Sequence, residues 1–329
     1  MMNVAVIGVG AMGCLFGAFL APLANVTLLG HWPEQIAALS HDGLTLIGVD
    51  GRSTHHSIHA TNNPTKMAPA DLTLILVKSR QTEHAAQLAR QILAPNGLAL
   101  TLQNGLGNLE ILTAVLGPHH AALGITSQGA TMLQPGTVRH AGHGPTHLAY
   151  TTQTKERLTA VTNLFNQAGL TTHLVDNVDS LVWGKLAVNC GINPLTALLR
   201  VPNGFLAENE PAKQVMMAAA RETAVVAQAL GITLPYPDAG QRALEVAQAT
   251  AANHSSMLQD VLRGAPTEIE AICGAVVGNG RRASIPTPIN SKLLRMIKLE
   301  ETGDWRLAIE KTLASLQSLV SNLTFGGAS

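Results

Sequence analysis

Residues 4–13 read Val-Ala-Val-Ile-Gly-Val-Gly-Ala-Met-Gly, a short apolar run that breaks into G-x-G-x-x-G. The run Val4 to Ile7 has the composition of a strand buried on both faces, and such strands belong to parallel sheets covered by helices. The three glycines divide the work of the turn that follows. Gly8 permits the tight turn, Gly10 leaves room where a pyrophosphate would approach, and Gly13 lets the next helix close onto the strand. The helix expected over 11–20 opens with unbonded N–H groups and the positive end of its dipole, both suited to phosphate. In a chain with 30 glycines the spacing alone says little. Its position, directly after a strand and directly before a helix, is what points to a dinucleotide, with Val9, Ala11 and Met12 supplying the backbone between the glycines.

A length of 329 residues suggests two domains at the usual size of about 150 each. The 21 basic and 21 acidic residues balance, and 46% of the chain is hydrophobic, which excludes a disordered chain and a nucleic-acid footprint. No stretch reaches the roughly 18 uncharged apolar residues of a membrane helix. Ala11 to Ala24 follows a complete strand rather than a basic leader, so it does not read as a secretion signal, and a cytoplasmic protein is expected. Cys14, Cys190 and Cys273 stand isolated in apolar patterns, as buried thiols do. The groups His55, His56, His59 and His140, His143, His147 lack a cysteine or carboxylate at ligand spacing, so no metal is expected.

Asn25 to Leu29 reads as the second strand. An acid just after it would grip the ribose hydroxyls of NAD, whereas a basic or small polar residue leaves room for a 2'-phosphate. Here the strand runs into Gly30-His31-Trp32-Pro33, with no acid before Glu34, which favours NADP through His31. Leu44 to Val49 and Arg52 to Ile58, around Asp50-Gly51, have the composition of a hairpin, followed by a loop over 62–69. Asp71 to Val77 is a further buried strand that delivers Lys78 at its carboxyl end. Lys78 either reaches a cofactor phosphate or marks where the strand surfaces. A helix over 83–93 stops at Pro95-Asn96-Gly97, and the strand Leu98 to Leu102 ends in Gln103-Asn104-Gly105. Asn104 offers a donor and an acceptor to a nicotinamide or substrate, or serves an Asn-Gly turn locally. Strands are expected over 121–130, 136–141, 147–150 and 170–174, with a helix over 156–167, and the first domain closes near Asn177.

Beyond that point strand signals stop. Helical patterns cover 179–199, 208–230, 238–250, 256–263, 268–278 and 287–300. The expected fold is therefore α/β, with a Rossmann-type dinucleotide-binding domain over 1–177 and an all-helical substrate-binding domain over 178–329. In the first of these helices Lys185, Asn189 and Asn193 are spaced i, i+4, i+8 and fall along one side. They form either a polar ridge facing a cleft or a buried ladder. Farther on, Ser256 with Asp260 and Thr267 with Glu268 suit helix starts, as caps or as ligands.

These motifs together resemble one family, the ketopantoate reductases (2-dehydropantoate 2-reductases). The resemblance rests on Gly8-x-Gly10-x-x-Gly13, Lys78, Gln103-Asn104-Gly105, Trp183-Gly-Lys185-Leu with Asn189 and Asn193-Pro194, Ser255-Ser256-Met257-Leu-Gln-Asp260, and Thr267-Glu268-Ile-Glu270. It runs from Asn3 to about Leu299. It implies NADPH-dependent reduction of the small 2-oxo acid 2-dehydropantoate to (R)-pantoate, a step toward pantothenate and coenzyme A. It further implies Lys185 as the catalytic lysine and Glu268 as a substrate-binding glutamate, which reads chemically as an acceptor for the substrate's primary hydroxyl. Ser256 and Asn193 would hold substrate, Asn104 and Asn189 would lie near the nicotinamide and substrate, and Asp260 would sit behind the substrate site. Lys78 would lie near the adenosine phosphate. Two departures stand out: His31 occupies a position where many relatives carry arginine, and Gly264-Ala265-Pro266 is less basic than expected. A reductase of another branched 2-oxo acid, or an NADPH-binding protein without turnover, would share much of this pattern. An apolar helix face buried within one chain reads the same as one buried between two, so a homodimer stays open.

Overall fold

The computed structural model describes residues 1–302 and residue 318. The described chain forms two compact units, one of residues 1–103 and 107–178, the other of residues 104–106 and the residues from 179 onward. The part of the expected helical domain that falls in 303–317 and 319–329 lies outside the described residues.

The first unit runs β1 (Asn3–Ile7), α1 (Ala11–Leu20), β2 (Asn25–Leu29), α2 (Pro33–Asp42), β3 (Leu44–Ile47), β4 (Ser53–His56), β5 (His59–Thr61), β6 (Ala70–Ile75), α3 (Thr82–Ile92), β7 (Leu93–Thr101), α4 (Asn108–Leu116), β8 (Ala121–Thr126), β9 (Gly129–Gln134), β10 (Thr137–Gly142), β11 (Thr146–Ala149), α5 (Lys155–Gln167) and β12 (Thr172–Val175). Eight of these strands form one sheet in the order β12-β11-β8-β7-β6-β1-β2-β5. From β8 through β5 every pairing is parallel, while β11 runs antiparallel to β8. β1 lies between β2 and β6, so the winding reverses beside it, and ligands of such sheets bind outside the carboxyl ends of the strands at that point.

Alternation along β1 explains why it is apolar throughout. Val4 and Val6 enter one core with α1 and α5, where the Phe16 and Phe165 rings meet at 5.5 Å. Ala5 and Ile7 enter the opposite core with Ala85, Ala86, Ala89 and Ile92 of α3 and Leu112 of α4. Truncating a ring as buried as Phe16 costs about 3–5 kcal/mol.

The structure corrects several boundaries. The hairpin around Asp50-Gly51 forms, but its second strand stops at His56, and His59–Thr61 crosses to pair with β2 as the edge of the main sheet. The stretch 121–130 divides into two strands at Ser127-Gln128, because the buried Gln128 turns the chain by donating its backbone N–H to Thr126 Oγ1 and its amide to the Gly144 carbonyl. Its second part, β9, pairs with β10 and through it with the hairpin, giving a separate sheet of order β4-β3-β10-β9. Helix α4 has no sequence-level start signal, since its cap is Gly107 at φ +91° with no side-chain bond.

The second unit contains α6 (Asp179–Leu199), α7 (Asn203–Glu208), α8 (Glu210–Ala229), α9 (Ala239–Ala249), α10 (Ser256–Leu262), a π-helical turn over Glu270–Gly274, α11 (Ala275–Arg282) and α12 (Pro288–Glu301). The pattern over 208–230 forms one helix, α8, which starts two residues later than expected. Asn209 is extended and accepts from the Ala212 N–H, which starts α8 afresh with Pro211 in its first turn. α6 packs closely on α8 because Gly191 has no side chain, a Cβ there lying 2.8 Å from the Met216 carbonyl oxygen. A shared core joins Leu186, Cys190 and Leu195 of α6 to Val215 and Met216 of α8 and Leu293 of α12.

Candidate active site

The β1–α1 turn shows a division of labour among its glycines. Gly8 sits at φ +124°, and a Cβ there would lie 2.8 Å from the Leu76 carbonyl group, so the residue allows both the turn and the approach of the segment after β6. At Gly13 a Cβ would lie 1.8 Å from the Gly8 carbonyl oxygen, which is what lets α1 close onto the strand. Gly10 is the opposite case, because its Cβ would meet nothing within 4 Å. Its missing side chain serves space outside the protein. α1 also has no acidic residue in its first turn and no side-chain cap. The turn from Val9 to Met12 thus has open space at Gly10 and no competing anion, and a strand-to-helix turn of this kind suits a pyrophosphate.

Around this turn, Val9 packs against Gly30, where a Cβ would lie 2.6 Å from Val9 Cγ2. That contact fixes the end of β2, and His31 follows as an exposed side chain. Lys78 is partly buried and precedes the short 3-10 turn Ser79–Gln81 that leads into α3. Gln103 is a structural residue. Its amide donates to the Val77 carbonyl at 2.8 Å and to Thr82 Oγ1 at 2.9 Å, and its Oε1 accepts from Thr101 Oγ1 at 2.8 Å.

The following residue, Asn104, belongs with the helical unit. The reason lies in the π-helical turn, where the Gly274 N–H reaches back to the Ile269 carbonyl at 3.0 Å instead of one residue less. In the middle of that turn the Ala271 carbonyl accepts from the Leu106 N–H at 3.1 Å. Gly105 makes this docking feasible: it sits at φ +84°, and a Cβ there would lie 2.4 Å from the same carbonyl oxygen. Asn104 is thereby anchored beside the segment that carries Glu268.

Lys185, Asn189 and Asn193 lie on successive turns of α6. Lys185 as a residue keeps partial exposure, yet its ammonium is desolvated, which pushes its pKa down from 10.5 to about 8 while the Glu268 carboxylate opposes the shift. Glu268 is buried. Asn193 is 7% exposed, a buried amide two turns on from Lys185. One turn on, Thr196 Oγ1 lies 2.7 Å from Ser255 Oγ. Ser255 also accepts from the Leu258 N–H at 3.1 Å. Ser255, not Ser256, therefore caps α10. Ser256 is the exposed first residue of that helix, brought to α6 by its neighbour.

Asp260 is buried and accepts from Arg263 at 2.9 Å. Thr267 Oγ1 does accept from the Ile269 N–H at 3.2 Å, although regular helix begins only after the π-helical turn. Sequence reasoning missed Ser255, Thr196 and Tyr236. The Tyr236 hydroxyl donates to the Gly184 carbonyl at 2.6 Å, steadying the backbone next to Lys185, and burial pushes the phenol up to about 12. Tyr236 lies in a loop far along the chain with no local pattern to mark it.

Two family models cover most of the chain: ketopantoate reductase PanE/ApbA matches residues 4–153, and ketopantoate reductase PanE/ApbA C terminal matches residues 177–301. The chain belongs to the ketopantoate reductase family. The 2-dehydropantoate 2-reductase of Halobacterium salinarum is 38% identical over 303 residues, covering 91% of this chain and 99% of that protein. Among solved structures, a PanE/ApbA family ketopantoate reductase from Ralstonia eutropha has a TM-score of 0.84 at 32% identity, covering 92% of this chain and 99% of that one. D-mandelate dehydrogenase bound to NADH and anilino(oxo)acetate also reaches a TM-score of 0.84, at 23% identity with 92% and 99% coverage, and shares the fold. The N-terminal Rossmann-type unit and the helical unit are those of this family of NAD(P)H oxidoreductases.

Proposed function

We propose that the chain reduces the 2-oxo group of 2-dehydropantoate to give (R)-pantoate, with NADPH as the hydride donor, as a cytoplasmic step toward pantothenate. The observation that carries this reading is the desolvated ammonium of Lys185, interacting with Glu268 and sharing a helix with the buried Asn193. When bound, the nicotinamide supplies the hydride. As the ketone carbon takes it up, negative charge develops on the ketone oxygen. The Lys185 ammonium stabilises that charge and gives its proton to the oxygen, leaving a neutral amine and the alcohol. A pKa near 8 matches this task at neutral pH, where the group is still charged but gives up its proton more readily than an ordinary lysine.

Glu268 accepts a hydrogen bond from the substrate's primary hydroxyl and keeps Lys185 protonated. Its charge repels the substrate carboxylate, so that end falls to donors such as Ser256, Asn189 and Asn193. Asp260, paired with Arg263 at the C-terminal end of α10, stays behind them. Asn104, anchored at the π-helical turn, presents its amide to the nicotinamide or substrate.

The test follows NADPH oxidation spectroscopically with 2-dehydropantoate, then with 2-oxoisovalerate, and repeats both with NADH. The expected result is turnover of 2-dehydropantoate at a kcat/KM at least about tenfold above that of 2-oxoisovalerate, since a pocket distinguishes missing groups by about 1–3 kcal/mol or more. Equal or inverted preference overturns the substrate assignment. Absence of NADPH oxidation with either acid overturns the reaction.

A further inference from the structure

Glu268 sits where no regular helix holds it, in a bend between α10 and the π-helical turn. The Ile269 N–H beside it is served locally, by Thr267 Oγ1 at 3.2 Å. The Thr267 N–H is not. Thr267 is buried, and its N–H donates to Glu301 Oε1 at 2.7 Å, a carboxylate in the last turn of α12. The first N–H groups of a helical segment have no partner within it, and a carboxylate that accepts from one also lies at the positive end of the segment's dipole. Here another helix supplies that cap.

One turn earlier on α12, Lys298 pairs with Glu270, two residues past Glu268. Positions 298 and 301 share a face of α12, so one face grips the chain on both sides of Glu268. Between them Glu300 accepts from the Arg200 guanidinium at 2.8 Å. Arg200 follows the last residue of α6 at φ +55°, the left-handed conformation that closes helices and that glycine usually takes. The last turn of α12 is thus bonded both to the end of the helix that carries Lys185 and to the segment that carries Glu268.

We infer that Glu301 and Lys298 are positioning residues for the proposed reaction, holding the Glu268 carboxylate where it serves both the substrate hydroxyl and the Lys185 ammonium. This rests on the roles proposed above for Lys185 and Glu268 and adds the element that places one against the other. The two anchors are unequal. Loss of Glu301 leaves a buried N–H without its charged acceptor, which is costly. Lys298 and Glu270 are both half-exposed or more, and an ion pair in that setting contributes little. Glu301 is the main anchor and Lys298 the minor one. Burial and the Glu268 carboxylate are what move the Lys185 pKa, so a displaced Glu268 is read at the lysine as well as at the substrate.

The test compares Glu301→Ala with Glu301→Gln on the full chain. Glutamine removes the charge and keeps an oxygen that accepts from the Thr267 N–H, whereas alanine removes both. In Glu301→Ala the KM for 2-dehydropantoate should rise about fivefold, because a carboxylate held out of place meets the hydroxyl poorly. The alkaline limb of kcat/KM should move to lower pH, because less of the Glu268 charge reaches Lys185. Kd for NADPH should not change. Glu301→Gln should bring KM back to within about twofold of the unmodified protein and leave the limb in place, since the amide oxygen restores the bond. Adding Lys298→Ala to Glu301→Ala should raise KM about twofold further, the scale of an exposed ion pair.

A role confined to stability would lower Tm and kcat while KM and the limb stayed where they are, and that result overturns the inference. So does a Glu301→Gln variant as impaired as Glu301→Ala, which would make the effect one of charge rather than placement. If Glu301→Ala does not fold, Glu301→Asp carries the same test, since its carboxylate is one methylene short; KM should rise about threefold with the limb moved the same way. An unmodified protein that does not reduce 2-dehydropantoate, or a Glu268→Gln variant with neither KM nor limb altered, brings down the reading beneath and the inference with it. If Glu268→Gln acts as proposed and Glu301→Ala matches the unmodified protein, that reading stands and the positioning role alone is refuted.

Discussion

The cradle at the β1–α1 turn and the cluster around Lys185 are built by opposite means. The cradle is made from absences: a Cβ would strike backbone at Gly8 and Gly13 and would meet only open space at Gly10. The cluster is made from side chains whose charges are tuned by burial and by each other, Lys185 by desolvation and by Glu268. A site formed by backbone is fixed once the chain folds locally, within ten residues. A site formed by side chains depends on helices far apart in sequence. Damage should therefore fall differently on the two, on binding and stability at the cradle and on chemistry at the cluster.

The largest separation of these effects is expected at Lys185. Lys185→Ala removes the proton donor and should lower kcat by roughly 10²–10⁴, the usual loss for such a group. NADPH affinity should stay within about twofold, because the Rossmann unit's own residues hold the cofactor. Measuring single-turnover rate beside cofactor Kd checks both halves of the statement. Near-normal turnover would remove Lys185 from the chemistry, and a collapse of cofactor binding would show that the two regions are not separable in this way.

A smaller effect is expected within the cradle, where two neighbouring glycines should fail for different reasons. Gly13→Ala drives a methyl into the Gly8 carbonyl, 1.8 Å from the position its Cβ would take. Backbone must move, at a cost of roughly 3 kcal/mol. For a unit of this size that is about 6–12 °C in Tm. Gly10→Ala meets open space at φ −78°, a conformation any residue adopts, so stability should change by no more than about 0.5 kcal/mol. Its methyl instead stands where the pyrophosphate approaches, and NADPH affinity should fall about tenfold, or roughly 1.4 kcal/mol. Thermal melts and cofactor titrations on both variants test the contrast. If Gly10→Ala melts as early as Gly13→Ala, the distinction between packing and ligand access is wrong.

The same contrast explains what could be read from the sequence. The cradle was legible because its residues are contiguous and each glycine has a local reason, and α1 and β2 appear at their expected bounds. Lys185, Asn189 and Asn193 could be placed on one side of a helix by spacing, but nothing local connects them to Glu268. Resemblance to a family supplied that link. Where a tertiary contact replaced a local signal, local reasoning misplaced the residue. Ser256 has the composition of a helix cap, yet Ser255 is the residue that caps α10, held by Thr196 on a distant turn of α6. The π-helical turn was invisible for a similar reason, since an apolar stretch such as Ile-Glu-Ala-Ile-Cys fits an ordinary helix. The Ala271 carbonyl is set apart by the Leu106 N–H, which arrives from residues that precede α4. His59–Thr61 was likewise too short to declare itself as a sheet edge until β2 offered it a partner.

The smallest expected effect tests whether the cluster works as a coupled pair, and it is read in pH rather than in amplitude. Lys185 must be protonated to act, so kcat/KM should be flat below about pH 8 and fall tenfold per unit above it. The carboxylate of Glu268 raises the Lys185 pKa against the larger lowering by burial. Glu268→Gln keeps the shape and removes the charge, so the alkaline limb should move to lower pH. The same substitution weakens the acceptor for the substrate's hydroxyl, and KM should rise about tenfold, the loss expected when a charged hydrogen-bond partner becomes neutral. The two consequences are independent readouts of one carboxylate. A KM increase with an unmoved alkaline limb would mean that Glu268 touches substrate without tuning the lysine. A shifted limb with an unchanged KM would leave Glu268 as an electrostatic neighbour only, and the substrate hydroxyl would need another acceptor.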